Sequence, residues 1–167
     1  MLKYPIKLLH DVELDPLMIE VSLPYLAVQD RIALDDNRVS LFFRDGRYFI
    51  QQAAEDYDMI ILNLPDPSNA MLNRFYTIEF FEEAKRKLAP GGVLVTGITG
   101  SDSYLGAEVG IYASSLYHTL KKVFSRIIVS PGTKNYFFAT DAPGVISVDP
   151  DLLAKRFRSR NITSDTF

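Results

Sequence analysis

The apolar residues of this chain fall into two rhythms that take turns. Short runs rich in branched and aromatic residues predict strands over 8–14, at Val39-Ser40-Leu41-Phe42-Phe43, at Met59-Ile60-Ile61-Leu62 and at Val93-Leu94-Val95. Stretches with helical spacing lie between them: 16–27, which Pro24 should disturb, and 47–54 after Asp45-Gly46. Met59-Ile60-Ile61-Leu62 is apolar throughout, the pattern of a strand covered on both faces. The loop 63–74 that follows is rich in Pro, Asn and Asp. Thr77 then suits the N-cap of a helix whose buried stripe is Phe80, Phe81, Ala84 and Leu88, with Glu79 and Glu82 favourable near its start. Pro90-Gly91-Gly92 should end that helix. Val109, Tyr112, Ala113, Leu116, Leu120 and Phe124 keep one face of a long amphipathic helix. Two short strands, 126–129 and 136–139, meet around Pro131-Gly132 as an antiparallel hairpin, and 151–158 reads as a last helix. Alternation of this kind predicts one α/β domain over residues 1–167 with a largely parallel sheet.

Composition narrows the class without changing that outline. Apolar residues make up 47% and charged residues 23% of the 167, which suits a globular domain. A net charge of -3 argues against a broad nucleic-acid footprint, which needs a basic face. With no cysteine there is neither a disulfide framework nor a thiolate metal site. His10 and His118 lie far apart in sequence, and each is expected to be structural, so no metal is expected. No apolar run approaches the ~20 residues of a membrane span, and no signal-peptide pattern is seen, so a cytoplasmic chain is expected.

Acidic residues recur where successive predicted strands end. In open α/β sheets, ligands sit outside the carboxyl ends of strands. Glu13 closes the first strand, in Asp11-Val12-Glu13-Leu14-Asp15-Pro16, and a carboxylate there can accept from two ribose hydroxyls; an ordinary surface acid fits as well. Asp45 and Gly46 follow the second: the acid can accept from an adenine amino group and glycine admits a close backbone, though a plain Asp-Gly turn also fits. Asn63-Leu64-Pro65-Asp66-Pro67 follows the third. A carboxylate on a proline-stiffened loop can hold a primary ammonium and take its proton as the amine becomes a nucleophile, or merely close a turn. Together the three predict Glu13, Asp45 and Asp66 along one edge of the sheet.

With Tyr76 before the next helix and Pro90-Gly91-Gly92 before the next strand, this set resembles the spermidine synthase family of polyamine aminopropyltransferases over about residues 3–140. The wording Leu64-Pro65-Asp66-Pro67 is most similar to the branch fused to multi-pass membrane segments. So are Tyr104-Leu105-Gly106, the helix end Thr119-Leu120-Lys121-Lys122-Val123-Phe124, and Pro131-Gly132-Thr133-Lys134-Asn135-Tyr136-Phe137. The resemblance implies a class I methyltransferase-like, Rossmann-like fold with a C-terminal antiparallel hairpin, and a homodimer in the cytoplasm or at its membrane face. It implies transfer of an aminopropyl group from decarboxylated S-adenosylmethionine to putrescine or a similar amine, with methylthioadenosine as co-product and no permanently bound cofactor. By the same resemblance Glu13 would bind ribose and Asp45 the adenine amino group, with Gly46 beside it. Asp66 would bind the attacking amine or the donor's ammonium, and Tyr76 would line or deprotonate the pocket.

Departures from the family pattern are specific. Its first strand and Gly-rich loop do not occur here, and Met1-Leu2-Lys3-Tyr4-Pro5 aligns just after them. That strand belongs between those of Val12 and Ile60, so its absence should leave backbone groups unpaired unless the strands pair otherwise, for instance across a dimer. Truncation at both ends is therefore expected. Asn63 stands for the loop's first aspartate; an amide cannot accept a proton at neutral pH, so Asn63 can only position a substrate. Gly97 stands for a glutamine. The alternatives are a nucleoside- or polyamine-binding domain without turnover, and a methyltransferase, since Asn63-Leu64-Pro65-Asp66 faintly resembles the Asn-Pro-Pro-Tyr loop of amino-methylating enzymes.

Overall fold

Two parallel strand pairs, a C-terminal antiparallel hairpin and the helices between them make up the described architecture. The computed structural model describes residue 2, residues 4–100 and residues 107–162. The chain divides into two compact units, one ending at Gln52 and one running Ala53–Asn161.

In the first unit, β1 (Leu9–Glu13) pairs in parallel with β2 (Val39–Phe43), from Leu9 opposite Val39 to Glu13 opposite Phe43. Asp15 starts α1 (Pro16–Ser22) by accepting from the Leu17 N–H at 3.0 Å, with Pro16 in the first turn, where its missing N–H costs nothing. The single helix predicted over 16–27 is interrupted, as Pro24 demands. It tightens into a 3₁₀ turn at Leu23–Tyr25 and gives way to an unpredicted helix, α2 (Val28–Leu34). After β2 comes α3 (Gly46–Gln52), which turns Phe49 and Ile50 inward. Phe49, Phe42 and His10 pack ring on ring, with centroids 4.9 to 5.8 Å apart. His10 is thus an aromatic packing residue, as expected.

In the second unit, β3 (Tyr57–Leu62) lies parallel to β4 (Leu88–Thr99). β4 is antiparallel to β6 (Lys134–Thr140), and β6 to β5 (Arg126–Ser130), giving the order β3-β4-β6-β5 and the predicted hairpin. α4 (Ala70–Asn73) is a single turn within the 63–74 loop, and α5 (Ile78–Lys85) starts where Thr77 accepts from the Phe80 N–H. α6 (Ala107–Val123) and α7 (Pro150–Ser159) complete the unit. Its core joins Phe80, Phe81 and Ala84 of α5 to Leu94 of β4, Leu116 and Leu120 of α6, Phe124, and Phe137 and Ala139 of β6. The Thr140 hydroxyl donates to the Gly92 carbonyl at 2.8 Å, tying the end of β6 to the start of β4.

Four expectations are corrected. Leu88 does not extend the stripe of α5; it opens β4. Pro90-Gly91-Gly92 stops no helix but lies within that strand, where Gly91 takes φ +85° and the β3–β4 register shifts between Tyr57 and Met59. β3 is covered on one face only: Ile60 is buried while Met59 and Ile61 are 48% and 43% exposed. Tyr112, placed on the buried stripe of α6, is exposed. Tyr104-Leu105-Gly106 lies outside the described residues, as does the side chain of Val109.

Among the described residues β1 pairs only with β2 and β3 only with β4, so the strands of Val12 and Ile60 belong to separate sheets. No helix among the described residues is long and apolar enough to cross a membrane.

Candidate functional site

The predicted residues occur in two sets, one per unit. In the first unit the β1–β2 register brings Glu13 and Asp45 to the same, carboxyl end of a parallel pair. Each has a local job. A Glu13 carboxylate oxygen accepts from the Asp15 N–H at 3.0 Å, shaping the turn into α1. Asp45 accepts from the Tyr48 N–H at 3.0 Å and its carbonyl from the Phe49 N–H, so it caps α3, and Gly46 is the first helical residue. Both residues are half-buried at strand ends.

In the second unit the loop after β3 forms one wall of a cavity of about 410 Å³, large enough for a small ligand. Its lining is Leu64, Pro65, Asp66, Ser68, Thr99, Thr133 and Lys134. Asp66 is fixed by the end of β4: the Thr99 N–H donates to Asp66 Oδ1 at 2.8 Å. One carboxylate oxygen is thereby committed to the scaffold, an arrangement that orients the group toward a ligand in the cavity. Asn63, directly after β3, is exposed, and its Oδ1 lies 3.5 Å from Lys134 Nζ.

Tyr76 is not on the cavity wall. It is buried, and its hydroxyl donates to the Pro65 carbonyl at 3.0 Å, so it braces the loop from behind. Burial, and next the nearby Asp66 carboxylate, push its phenol up to about 12. A phenol so placed stays protonated at neutral pH and is a hydrogen-bond donor, not a base.

Lys134, Thr99, Thr133 and Ser68 were not named as site residues from the sequence. Lys134 opens β6 and stands opposite Thr99 in the antiparallel register. Among the described residues neither Asp66 nor Lys134 has an ion-pair partner, so two opposite charges line one cavity without pairing to each other.

Comparison with known proteins bears on this geometry. Residues 1–129 match the model of the spermine/spermidine synthase domain. A polyamine aminopropyltransferase 2 of Aquifex aeolicus is 34% identical over 122 residues, 72% of this chain and 24% of that protein. A polyamine aminopropyltransferase of Saccharolobus islandicus is 33% identical over 150 residues, 86% of this chain and 46% of its own length. The chain thus spans about half, or less, of the curated relatives it matches. A spermidine synthase crystallised with the transition-state analogue AdoDATO superposes with a TM-score of 0.74 at 25% identity, covering 92% of this chain and 54% of that one. Human methyltransferase-like protein 13, in complex with SAH, superposes with a TM-score of 0.66 at 22% identity over 96% of this chain and 75% of its own. The likeness shows the class I methyltransferase-like α/β fold.

Proposed function

The chain belongs to the spermine/spermidine synthase domain family, and from that premise we propose that it serves aminopropyl transfer from decarboxylated S-adenosylmethionine to a primary amine. In this reaction the amine lone pair attacks the aminopropyl carbon next to the sulfonium. A C–N bond forms, the C–S bond breaks with its electrons going to sulfur, and methylthioadenosine leaves. The attacking nitrogen must be unprotonated beforehand, and the new secondary ammonium sheds a proton afterwards.

The observation that carries the reading is Asp66, held by the Thr99 N–H on the wall of a cavity at the carboxyl end of β3. There its carboxylate attracts the amine, orients it and accepts its proton, roles worth about 10²-fold or more in rate. Asn63 cannot take a proton and has a positioning role. Tyr76 keeps Pro65, and with it Asp66, in place. Glu13 and Asp45 are the proposed nucleoside contacts, for ribose and adenine amino group respectively, with Gly46 beside the base. Homodimeric assembly in the cytoplasm belongs to the same proposal.

The test is methylthioadenosine release from decarboxylated S-adenosylmethionine and an amine by the complete polypeptide that carries this chain. Asp66→Asn keeps an acceptor for the Thr99 N–H and removes the charge. It should lower turnover about 100-fold or more while the melting temperature holds. Unchanged turnover in Asp66→Asn would remove Asp66 from the mechanism. Absence of release with every amine, alongside normal nucleoside binding, would favour a binding domain instead.

A further inference from the structure

An acceptor such as putrescine is a dication at neutral pH, and a cavity built for it alone would present only acceptors and negative charge. Among the described residues this cavity presents one carboxylate, Asp66, and one ammonium, Lys134, which form no ion pair with each other. Asn63 adds no charge. It turns Oδ1 toward Lys134, which leaves its amide protons as donors.

Lys134 also packs against its neighbours. Its side chain is half-buried, with Nζ 5.7 Å from the centroid of the Tyr136 ring and 3.5 Å from Asn63 Oδ1. Its stem lies over Gly97 of β4. A Cβ on Gly97 would sit 2.9 Å from Lys134 Cε and 3.1 Å from Tyr136 Cδ1, so any larger residue there would displace the stem. The glycine makes the room that brings the ammonium to the cavity.

We infer that the cavity takes the zwitterionic head of an α-amino acid, its ammonium on Asp66 and its carboxylate on Lys134 with Asn63 alongside. A fixed pair of opposite charges with space between them complements a ligand that carries both, and Lys134 repels a ligand that carries ammonium groups only. The inference rests on the aminopropyl-transfer reading for its ligand class alone, amines. The head can belong to an acceptor amino acid or, in place of the decarboxylated donor proposed above, to S-adenosylmethionine, whose transferred group would then be aminocarboxypropyl.

Titration calorimetry on the complete polypeptide separates these. Ornithine and putrescine differ only by the carboxylate, as do S-adenosylmethionine and its decarboxylated form. We expect the carboxylated member of at least one pair to bind about tenfold or more tightly, the scale of one charge-assisted contact. Preference in the first pair assigns the head to the acceptor, and preference in the second to the donor. Lys134→Met should bring the ratio to about one, Lys134→Glu should reverse it, and Gly97→Ala should lower it by displacing the Lys134 stem, with no lining residue replaced. Circular dichroism checks that each variant folds. Equal or weaker binding of both carboxylated ligands, or a ratio indifferent to Lys134→Met and Lys134→Glu in folded protein, overturns the inference. Methylthioadenosine release with putrescine separates it from the functional reading. Release on putrescine with no carboxylate preference sinks this inference and leaves aminopropyl transfer standing. A carboxylate preference without release on any amine does the reverse.

Discussion

Tyr76 stands behind the loop that carries Asp66 rather than on the cavity wall. Its phenol donates one hydrogen bond to Pro65, and burial, then Asp66, raise its pKa to about 12. Tyr76→Phe should cost about 1 kcal/mol of stability, the value of one net hydrogen bond. It should raise KM more than it lowers kcat, because the loop that aims Asp66 loses its brace. The sign of the pH effect follows from the shift. Between the ordinary phenol value of 10.0 and about 12 the unfolded chain ionises Tyr76 and the folded chain does not. Stability from this group is therefore whole below pH 10 and falls as the pH climbs through about 12. Denaturant melts of wild type and Tyr76→Phe across that window measure the difference. A Tyr76 ionisation seen near neutrality in the activity profile would contradict the buried, donating phenol.

The joints between elements rest on few polar ties. Lys85, in the last turn of α5, donates to the Val123 carbonyl at 2.7 Å and pairs with Asp141 at 2.5 Å, while Asp141 accepts from the Ser125 N–H at 2.9 Å. One ammonium thus gathers the ends of α5, α6 and β6. Partial burial works against the Asp141 charge, but Lys85 and the Ser125 N–H outweigh it and hold the carboxyl below the usual value of 3.8. A lowered carboxyl pKa contributes stability that is present above the unfolded value and lost as the pH falls through the folded one. Both side chains are more than a third exposed, so the gain is modest: Asp141→Asn should cost at most about 1 kcal/mol at pH 7. That cost should shrink toward pH 2 and in high salt. A larger penalty that ignores pH would point to the backbone contact rather than the charge.

Across the whole molecule, the second unit holds the deep core, with Phe80, Phe81, Leu94, Leu120, Phe124 and Phe137 all nearly inaccessible. β1 and β2 form a two-stranded sheet in which no strand residue is fully buried. Two-stranded sheets are marginal in water, and local opening follows local burial. Native-state hydrogen exchange should therefore find the amides of β4 and β6 protected to nearly the global stability. Those of β1 and β2 should open at a free energy lower by a few kcal/mol. Equal protection in the two sheets would show that something other than these strands supports β1.

Several features were legible in the residues themselves. The alternation of strand and helix, the Thr77 cap, the fracture at Pro24 and the acidic loop after β3 all arise from short-range preferences: side-chain periodicity, an orphan N–H to satisfy, a proline without one. These act within a few residues, so their signal survives in sequence order. Other features were decided only by the tertiary structure. Pro90-Gly91-Gly92 looked like a helix stop and became strand, because pairing with β3 outweighed local preference. Tyr76 precedes α5 in the sequence, and only the fold sets its hydroxyl against the Pro65 carbonyl. Asp66 meets Thr99 across 33 positions and Asn63 meets Lys134 across 71. No local pattern reports such a distance; strand register sets it. Register also put the lysine at the cavity, opposite the acid that the sequence had already marked.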